Sequence, residues 1–543
     1  MPDSPANPKN SREATPKLGW LHLALATGVL LLAAALRLDA MLQAHLWLDE
    51  FWMLEVANGH DTLHERLPTN VLIPDPPALT SLSQARPSWA IWTTLSEVPH
   101  PPLFYMLVRW WREIVGPTEM AARLLPWLAS IASVFLMYRL ILLLHGPWPA
   151  LAAMLLIALG PQQIYFAQEL RPYSFLLAMG IAACLLVIQI ERHGASIGRL
   201  LLLGSVALIL LLTHYFSAGS LLALAIYAAL RLPRKKLWRV ELAFIIPAIV
   251  FALVWGPFLL RQHQVQSRQA SSQAFLADPG AGHVYRAIVR VATIPAQALA
   301  FNTLSTHPPA WLIVLILIAF LAPLIWLRRS GALLLWYLWF AGTLAPLAAG
   351  DLLNHFRTLG IPRYTVSAEI AVFGVIAAAT AIIGQFANRS NAAFKKLLAT
   401  SAIPIAGALI AACSLPAALT ESAAKPDWQP MIEELRRDAH EGQPIIYAAE
   451  NRAGSVVYLF ASHYLDPSEH HSALILTSPL APELQRQLQT AGGQWVVFTG
   501  RRQTLESLLP NATFDVTAGV ENHEGFMGGI VARIVWKNAG AAR

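Results

Sequence analysis

Apolar runs long enough to cross a lipid bilayer recur through this sequence, the first from Leu18 to Leu38. Hydrocarbon offers no hydrogen-bond partners, so a chain crosses it only with its backbone bonded internally, and runs of about 20 apolar residues predict transmembrane helices. Hydropathy and basic flanks predict eleven, near 18–38, 122–143, 147–165, 172–190, 198–212, 214–231, 238–259, 310–327, 331–349, 363–386 and 396–416. Composition agrees: 56% of the residues are hydrophobic and 13% charged, about half the charged share of a soluble protein. The net charge of +7 gathers in short turns between apolar runs, where the positive-inside rule accounts for it and no nucleic-acid partner is called for. Cys184 and Cys413 both lie inside apolar runs, so neither a disulfide framework nor a zinc cluster is expected.

The basic turn containing Arg231, Arg234, Lys235, Lys236 and Arg239 marks the cytoplasmic face, as do Arg328 with Arg329 and the turn from Arg389 to Lys396. Residues 1–17 then form a cytoplasmic leader, followed by a first helix too long for a signal-peptide core. Loops 39–121, 166–171, 261–309 and 350–362 fall on the outer side, together with everything after about residue 417. This parity requires His100–Val115, which carries Arg109, Arg112 and Glu113, to lie along the surface as an amphipathic helix. A second short helix is expected over Asp49–Asn58, with a polar, proline-rich inserted loop over 59–99. Beyond 417 charges return. Helices over Trp428–His440 and Pro482–Thr490 and strands over Gln443–Ala449, Ala473–Thr477 and Trp495–Thr499 predict a small α/β unit without a glycine-rich phosphate loop. The expected fold class is an α-helical polytopic membrane protein of about eleven spans with a small C-terminal α/β extramembrane domain, divided as 1–17, 18–417 and 418–543.

Polar residues concentrate at the outer ends of the spans. Asp49 and Glu50 form an acidic pair inside Trp47-Leu48-Asp49-Glu50-Phe51-Trp52, just past the first span. Charge at the membrane rim is expensive to desolvate, which favours a functional role; solvated carboxylates at a helix start are the plainer reading. His100 precedes two prolines that fix the backbone. Glu119 and Arg123 open the second span, and Gln168-Glu169-Leu170-Arg171-Pro172-Tyr173 packs acid, base and phenol into one external turn. Thr213-His214-Tyr215 and Arg363-Tyr364 lie on the same side. Singly, each is explained as a snorkelling or interfacial side chain; their convergence on one surface is the signal.

The order WLDE, HPPLFY, GPTEMAARLLP, QELRPY, THYF and PRY resembles the protein mannosyltransferase and aminoarabinose-transferase-like glycosyltransferases of the GT-C fold, over roughly residues 18 to 386. The resemblance implies a membrane glycosyltransferase whose donor is a sugar on a polyprenyl phosphate and whose acceptor is a hydroxyl of a lipid, glycan or protein, a lipid A sugar among them. It implies a bacterial inner membrane with the active face periplasmic. Asp49 becomes the candidate general base, with Glu50 supporting acceptor or loop geometry and Glu169 as a second acidic position. Arg123, Arg171 and Arg363 are candidates for the phosphate, Arg363 with Tyr364 first. His100, Tyr173, His214 and Tyr215 complete the expected substrate surface. A divalent cation is a possible cofactor, with His100, His214 or Glu169 as ligands. Inversion by single displacement is the simplest path. The alternative is a transporter or flippase of a lipid-linked sugar, but such proteins more often show repeated halves and mid-span ionisable groups.

Overall fold

A computed structural model of the chain describes residues 18–268, 277–278, 280–300, 308–387, 393–423, 425, 427–450, 454–521 and 526–537. The leader through Lys17 and the turn residue Arg389 lie outside the described residues. Among the described residues, eight helices are long and apolar enough to cross a membrane, and three shorter apolar helices pack with them. Together they coincide with the eleven spans expected from hydropathy.

In chain order the helices are α1 (Trp20–Gln43), α2 (Leu48–Ala57), α3 (Trp89–Thr94), α4 (Leu103–Val115), α5 (Glu119–His145), α6 (Pro147–Leu159), α7 (Pro161–Tyr165), α8 (Tyr173–His193), α9 (Ile197–Thr213) and α10 (Ser217–Arg231). Then follow α11 (Arg234–Arg268), α12 (His283–Gln297), α13 (Ala310–Leu321), α14 (Gly331–Asn354), α15 (Pro362–Ala387) and α16 (Ala393–Ala423). The C-terminal unit adds α17 (Gln429–Asp438), α18 (Gly454–Tyr464), α19 (Pro482–Thr490) and α20 (Arg502–Leu508).

Local chemistry sets several boundaries. The Thr118 side chain accepts from the Ala121 N–H and starts α5. Gly146, at φ 85°, ends that helix in a conformation that favours glycine, and Pro147 opens the next. The short α6 ends at membrane depth because a buried arginine receives its last carbonyls. Arg37, fully buried in α1, donates to Ile157 O and Ala158 O, both at 2.9 Å, and to Ser130 Oγ at 2.7 Å. Unpaired carbonyls would not be tolerated there. α8 and α15 occupy the centre of the bundle, α1 and α13 its rim. α10 and α14 approach so closely that a Cβ on Gly219 would stand 2.1 Å from Gly342 O, so only glycine fits.

The surface helices α2 and α4 lie where sequence placed them. Residues 59–99 are more organised than the expected loop: they hold α3, two short 3-10 turns and strand β1 (Leu72–Ile73). The other strands are β2 (Ile445–Ala449), β3 (Ala473–Leu476), β4 (Trp495–Arg501), β5 (Ala512–Glu521) and β6 (Phe526–Trp536). They form one sheet in the order β1-β3-β2-β4-β6-β5, parallel through β3-β2-β4 and antiparallel at β1-β3, β4-β6 and β6-β5. The segment between α2 and α3 thus supplies an edge strand to the C-terminal sheet. Asn70 fastens it, donating to Thr477 Oγ1 at 2.9 Å and accepting from the Thr477 N–H at 3.0 Å. A continuous apolar core runs from Phe51 and Leu54 of α2 through Phe104 and Val108 of α4 to Tyr458 and Phe460 of α18, with the Phe51 and Phe460 ring centroids 4.7 Å apart.

Candidate active site

The turn from Ala44 to Trp47 brings the chain from α1 straight into α2, so Asp49 and Glu50 occupy the first turn of a helix lying at one end of the bundle. Successive helical residues point in different directions, and the two carboxylates divide accordingly. Glu50 is fully buried and turns into the bundle. Arg123 meets it with both arms of its guanidinium, Nε to Oε1 at 2.9 Å and Nη2 to Oε2 at 2.8 Å, while the Leu170 N–H donates to Oε1 at 2.8 Å. The remaining arm of Arg123 donates to Ala44 O. Burial pushes the Glu50 carboxyl up, but Arg123, Lys425 and the Leu170 N–H together outweigh it and hold the group below its ordinary value.

Asp49 faces the other way. Its Oδ2 stands 3.1 Å from Arg363 Nη1 and 3.8 Å from Arg171 Nη2, and Arg171 Nη1 donates to its backbone oxygen at 3.3 Å. Arg363 comes from the start of α15, Arg171 from the turn before α8, so three distant segments meet at one carboxylate. Tyr173 lies beneath Arg171, the guanidinium carbon 5.9 Å from its ring centroid, and Tyr364 lies beside Arg363 at 5.4 Å.

His100 and His214 are brought together behind these arginines, their ring centroids 5.0 Å apart. The Phe216 N–H donates to His214 Nδ1, which assigns the ring proton to Nε2, a buried atom without a hydrogen-bond partner; His100 Nδ1 is likewise unpartnered. Burial pushes His214 down to about 3, reinforced by Arg171. His100 is held well below its usual value by burial, His214 and both arginines. Both rings are therefore neutral at pH 7. Among the described residues no group of three or more His, Cys, Asp or Glu side chains is placed to hold a metal ion.

Beside Arg363 opens a cavity of about 580 Å³ lined by Trp47, Phe166, Glu169, Val289 and Ile313 as well as Arg363 itself, among others. Its walls combine apolar and aromatic surface with cations. α12 forms one side with Val289, Arg290, Thr293 and Gln297, while Tyr285 and Ile288 on the same helix are exposed. Glu169 is buried and pairs with Lys425 Nζ at 3.1 Å. Burial raises its carboxyl above the ordinary value; Lys425 opposes the rise, and Glu50 and Asp49 add to it.

The structure redistributes the residues picked out from sequence. Asp49, Arg171, Tyr173, Arg363, Tyr364, His100 and His214 converge; Glu169 joins them across Trp47. Of these, Glu169 and Arg363 line the cavity, while Tyr173, His214 and Tyr364 meet Arg363 in a small pocket of their own. Glu50, Arg123 and Tyr215 turn to protein partners instead: Glu50 and Arg123 satisfy each other, and the Tyr215 hydroxyl donates to Gln262 Oε1 and accepts from Trp255 Nε1 at 2.9 Å, both on α11, whose Gln262 Nε2 donates on to Val98 O and His100 O. Each has a physical reason: a buried charge persists only with its counterion, and a buried hydroxyl turns toward its partners. Sequence reasoning missed Lys425. It follows α16, is nearly buried, and lies 5.4 Å from the Trp47 ring centroid and 5.3 Å from that of Tyr165. A lone lysine before a proline gives no hint of such long-range partners.

Residues 99–260 match the family described as Dolichyl-phosphate-mannose-protein mannosyltransferase. Among solved structures the chain is similar to ArnT from Cupriavidus metallidurans in the apo state, with TM-score 0.50 and 12% identity over 94% of this chain and 98% of that one. It also aligns with the oligosaccharyltransferase AglB from Archaeoglobus fulgidus in complex with an inhibitory peptide and a dolichol-phosphate, with TM-score 0.48 and 12% identity over 94% and 74%. A further alignment is with ArnT from Cupriavidus metallidurans bound to undecaprenyl phosphate, with TM-score 0.45 and 14% identity over 95% and 98%. No curated protein matches the sequence. The chain is a polytopic membrane protein of the GT-C glycosyltransferase fold, and its segment 99–260 carries the match to the mannosyltransferase family.

Proposed function

We propose that this protein is a polyprenyl-phosphate-sugar-dependent glycosyltransferase of a bacterial inner membrane, moving a sugar to an acceptor hydroxyl on the periplasmic side. The observation that carries the proposal is the meeting of Asp49 with Arg363, a residue that itself lines the 580 Å³ cavity. A polyprenyl phosphate needs an apolar groove for its tail and cations for its phosphate; Phe166, Val289 and Ile313 line the one and Arg363 supplies the other. The family description of residues 99–260 names a lipid-phosphate sugar donor, and the basic turns at the far end of the bundle support an outward-facing site.

In this reading the donor phosphate engages Arg363 and Arg171 and releases Asp49 from their hold. The acceptor oxygen attacks the anomeric carbon while Asp49 takes its proton. The carbon–oxygen bond to the phosphate breaks, and its electron pair leaves with the phosphate, where the two guanidinium groups stabilise it. A single displacement inverts the sugar carbon. Glu50 and Arg123 act as framework, holding α2 so that Asp49 points outward. The neutral His100 and His214 stand near the arginines as hydrogen-bonding groups, and the C-terminal α/β unit packs over the first loop as an accessory wall.

The test is a transfer assay with purified wild-type and Asp49→Asn protein supplied with polyprenyl-phosphate sugars from a bacterial membrane extract, reading released lipid phosphate by mass spectrometry. Loss of general-base assistance lowers turnover by about 10²- to 10⁴-fold. Near-normal turnover of the variant at matched expression removes Asp49 from the role, and binding without consumption by both proteins turns the reading to transport.

A further inference from the structure

At the end of the bundle opposite Asp49, a second cavity of about 460 Å³ lies between the ends of α5, α8, α10, α14 and α15. Arg192, Arg231 and Arg329 line it, with Glu191 as the one carboxylate among its lining residues. Glu191 is committed: Arg231 Nη2 is 2.9 Å from Oε1, and Tyr227 donates to Oε2 at 2.7 Å. Arg192 reaches only a backbone oxygen, Leu144 O at 3.3 Å, and among the described residues no carboxylate pairs with Arg192 or Arg329. The helix direction reinforces the positive field, because α14 begins at Gly331 and presents its N-terminal N–H groups beside the arginines.

Topogenic arginines alone would produce a basic rim, but two features here belong to a formed site. A Cβ at Gly331 would stand 2.9 Å from Arg231 Cζ, so the guanidinium seats against bare backbone. His145 Nε2, also in the cavity lining, is buried and has no hydrogen-bond partner. Three guanidinium groups against one carboxylate, with an idle imidazole nitrogen and a helix N-terminus, call for an anion. Leu144, Ala332, Ala381 and Ile382 in the same wall add apolar surface that a free inorganic ion does not use.

We propose that this cavity binds the phosphodiester headgroup of an anionic phospholipid from the leaflet opposite the Asp49 site, with Arg192 and Arg329 as the phosphate-contacting residues. Basic pockets between transmembrane helices suit such headgroups. This site is separate from the Arg363 cavity and does not depend on the reaction proposed for it.

The experiment is native mass spectrometry of the purified full chain in nonionic detergent with equimolar phosphatidylglycerol and phosphatidylcholine. Phosphatidylglycerol is expected to be retained over phosphatidylcholine by about tenfold or more, and the Arg192→Gln/Arg329→Gln variant, which leaves the Arg231–Glu191 pair intact, brings the two lipids to parity. Equal retention of both lipids by wild type, or undiminished selectivity in the variant, overturns the proposal. Should the variant fold poorly, wild type alone decides: photoreactive phosphatidylglycerol is expected to label peptides containing Arg192 or Arg329, and labelling confined to other regions overturns it. Displacement of the lipid by millimolar inorganic phosphate would assign the site to free phosphate instead.

Discussion

Glu50→Gln separates framework from chemistry. The substitution keeps the shape of the side chain but removes its charge, leaving Arg123 buried with no counterion; the two side chains are 0% and 3% exposed, so solvent relieves little of the loss. Breaking a buried pair from one side costs about 3–5 kcal/mol. The lower end applies, because the glutamine oxygen still accepts from Leu170 N–H or from one arm of Arg123. About 3 kcal/mol raises the population of undocked α2 by roughly 150-fold. Hydrogen exchange of peptides covering Leu48–Ala57, followed by mass spectrometry at neutral pH, reads this opening directly. Pairing the change with Arg123→Met removes the orphaned charge and is expected to recover much of the protection. Exchange in the single variant within about threefold of wild type would refute the reasoning, since a 150-fold shift lies far outside that range. The acid limb carries the matching sign: Glu50 is held below its unfolded value, so its contribution is present above about pH 4.3 and is lost as pH falls through the folded value.

Arg363→Ala is expected to weaken donor binding by about tenfold or more while leaving acceptor affinity near wild type, measured by competition with a polyprenyl phosphate; equal donor affinity counts against its phosphate role. Glu169 is held above its unfolded value by burial, so its contribution is fully present below about pH 4.3 and fades as pH rises through the folded value. Glu169→Gln fixes the neutral form and should flatten the dependence of the unfolding midpoint on pH above about 4.3. An unchanged slope would show that Glu169 does not titrate differently on folding. Gly374→Ala places a Cβ 2.1 Å from Trp336 Cε2; overpacking between α14 and α15 is expected to cost about 1–3 kcal/mol or more, read as a lower midpoint in detergent, and an unchanged midpoint would mean that Trp336 moves freely.

The bundle was legible because the bilayer imposes one rule on every span, and residues such as Thr118, Gly146 and Pro147 mark where helices begin and end in any solvent. The parallel core of the C-terminal sheet was legible as short apolar runs. β5 and β6 were not, since Gly519, Gly528 and Gly529 and interspersed charges break the alternation that identifies a strand. α18 was missed for a related reason: it opens Gly454-Ser455-Val456-Val457, weak helix formers that tertiary packing overrides. Within the site, residue types were readable, partners were not. Asp49 and Glu50 are adjacent in sequence, yet one meets Arg363 and the other Arg123. Only the packed structure distinguishes the carboxylate that meets Arg363 from the one that anchors its helix.

The pairing of β1 with β3 imposes a timetable on biogenesis. Asn70 and its partner Thr477 are separated by 407 residues, so at about 5–20 residues per second the first external loop waits roughly 20 to 80 seconds after its own synthesis for the strand that receives it. During that interval β1 has no sheet to join and the apolar face of α2 lacks α18. A nascent chain arrested before β3 should therefore expose this loop to protease on the outer side, and release of the arrest should close it.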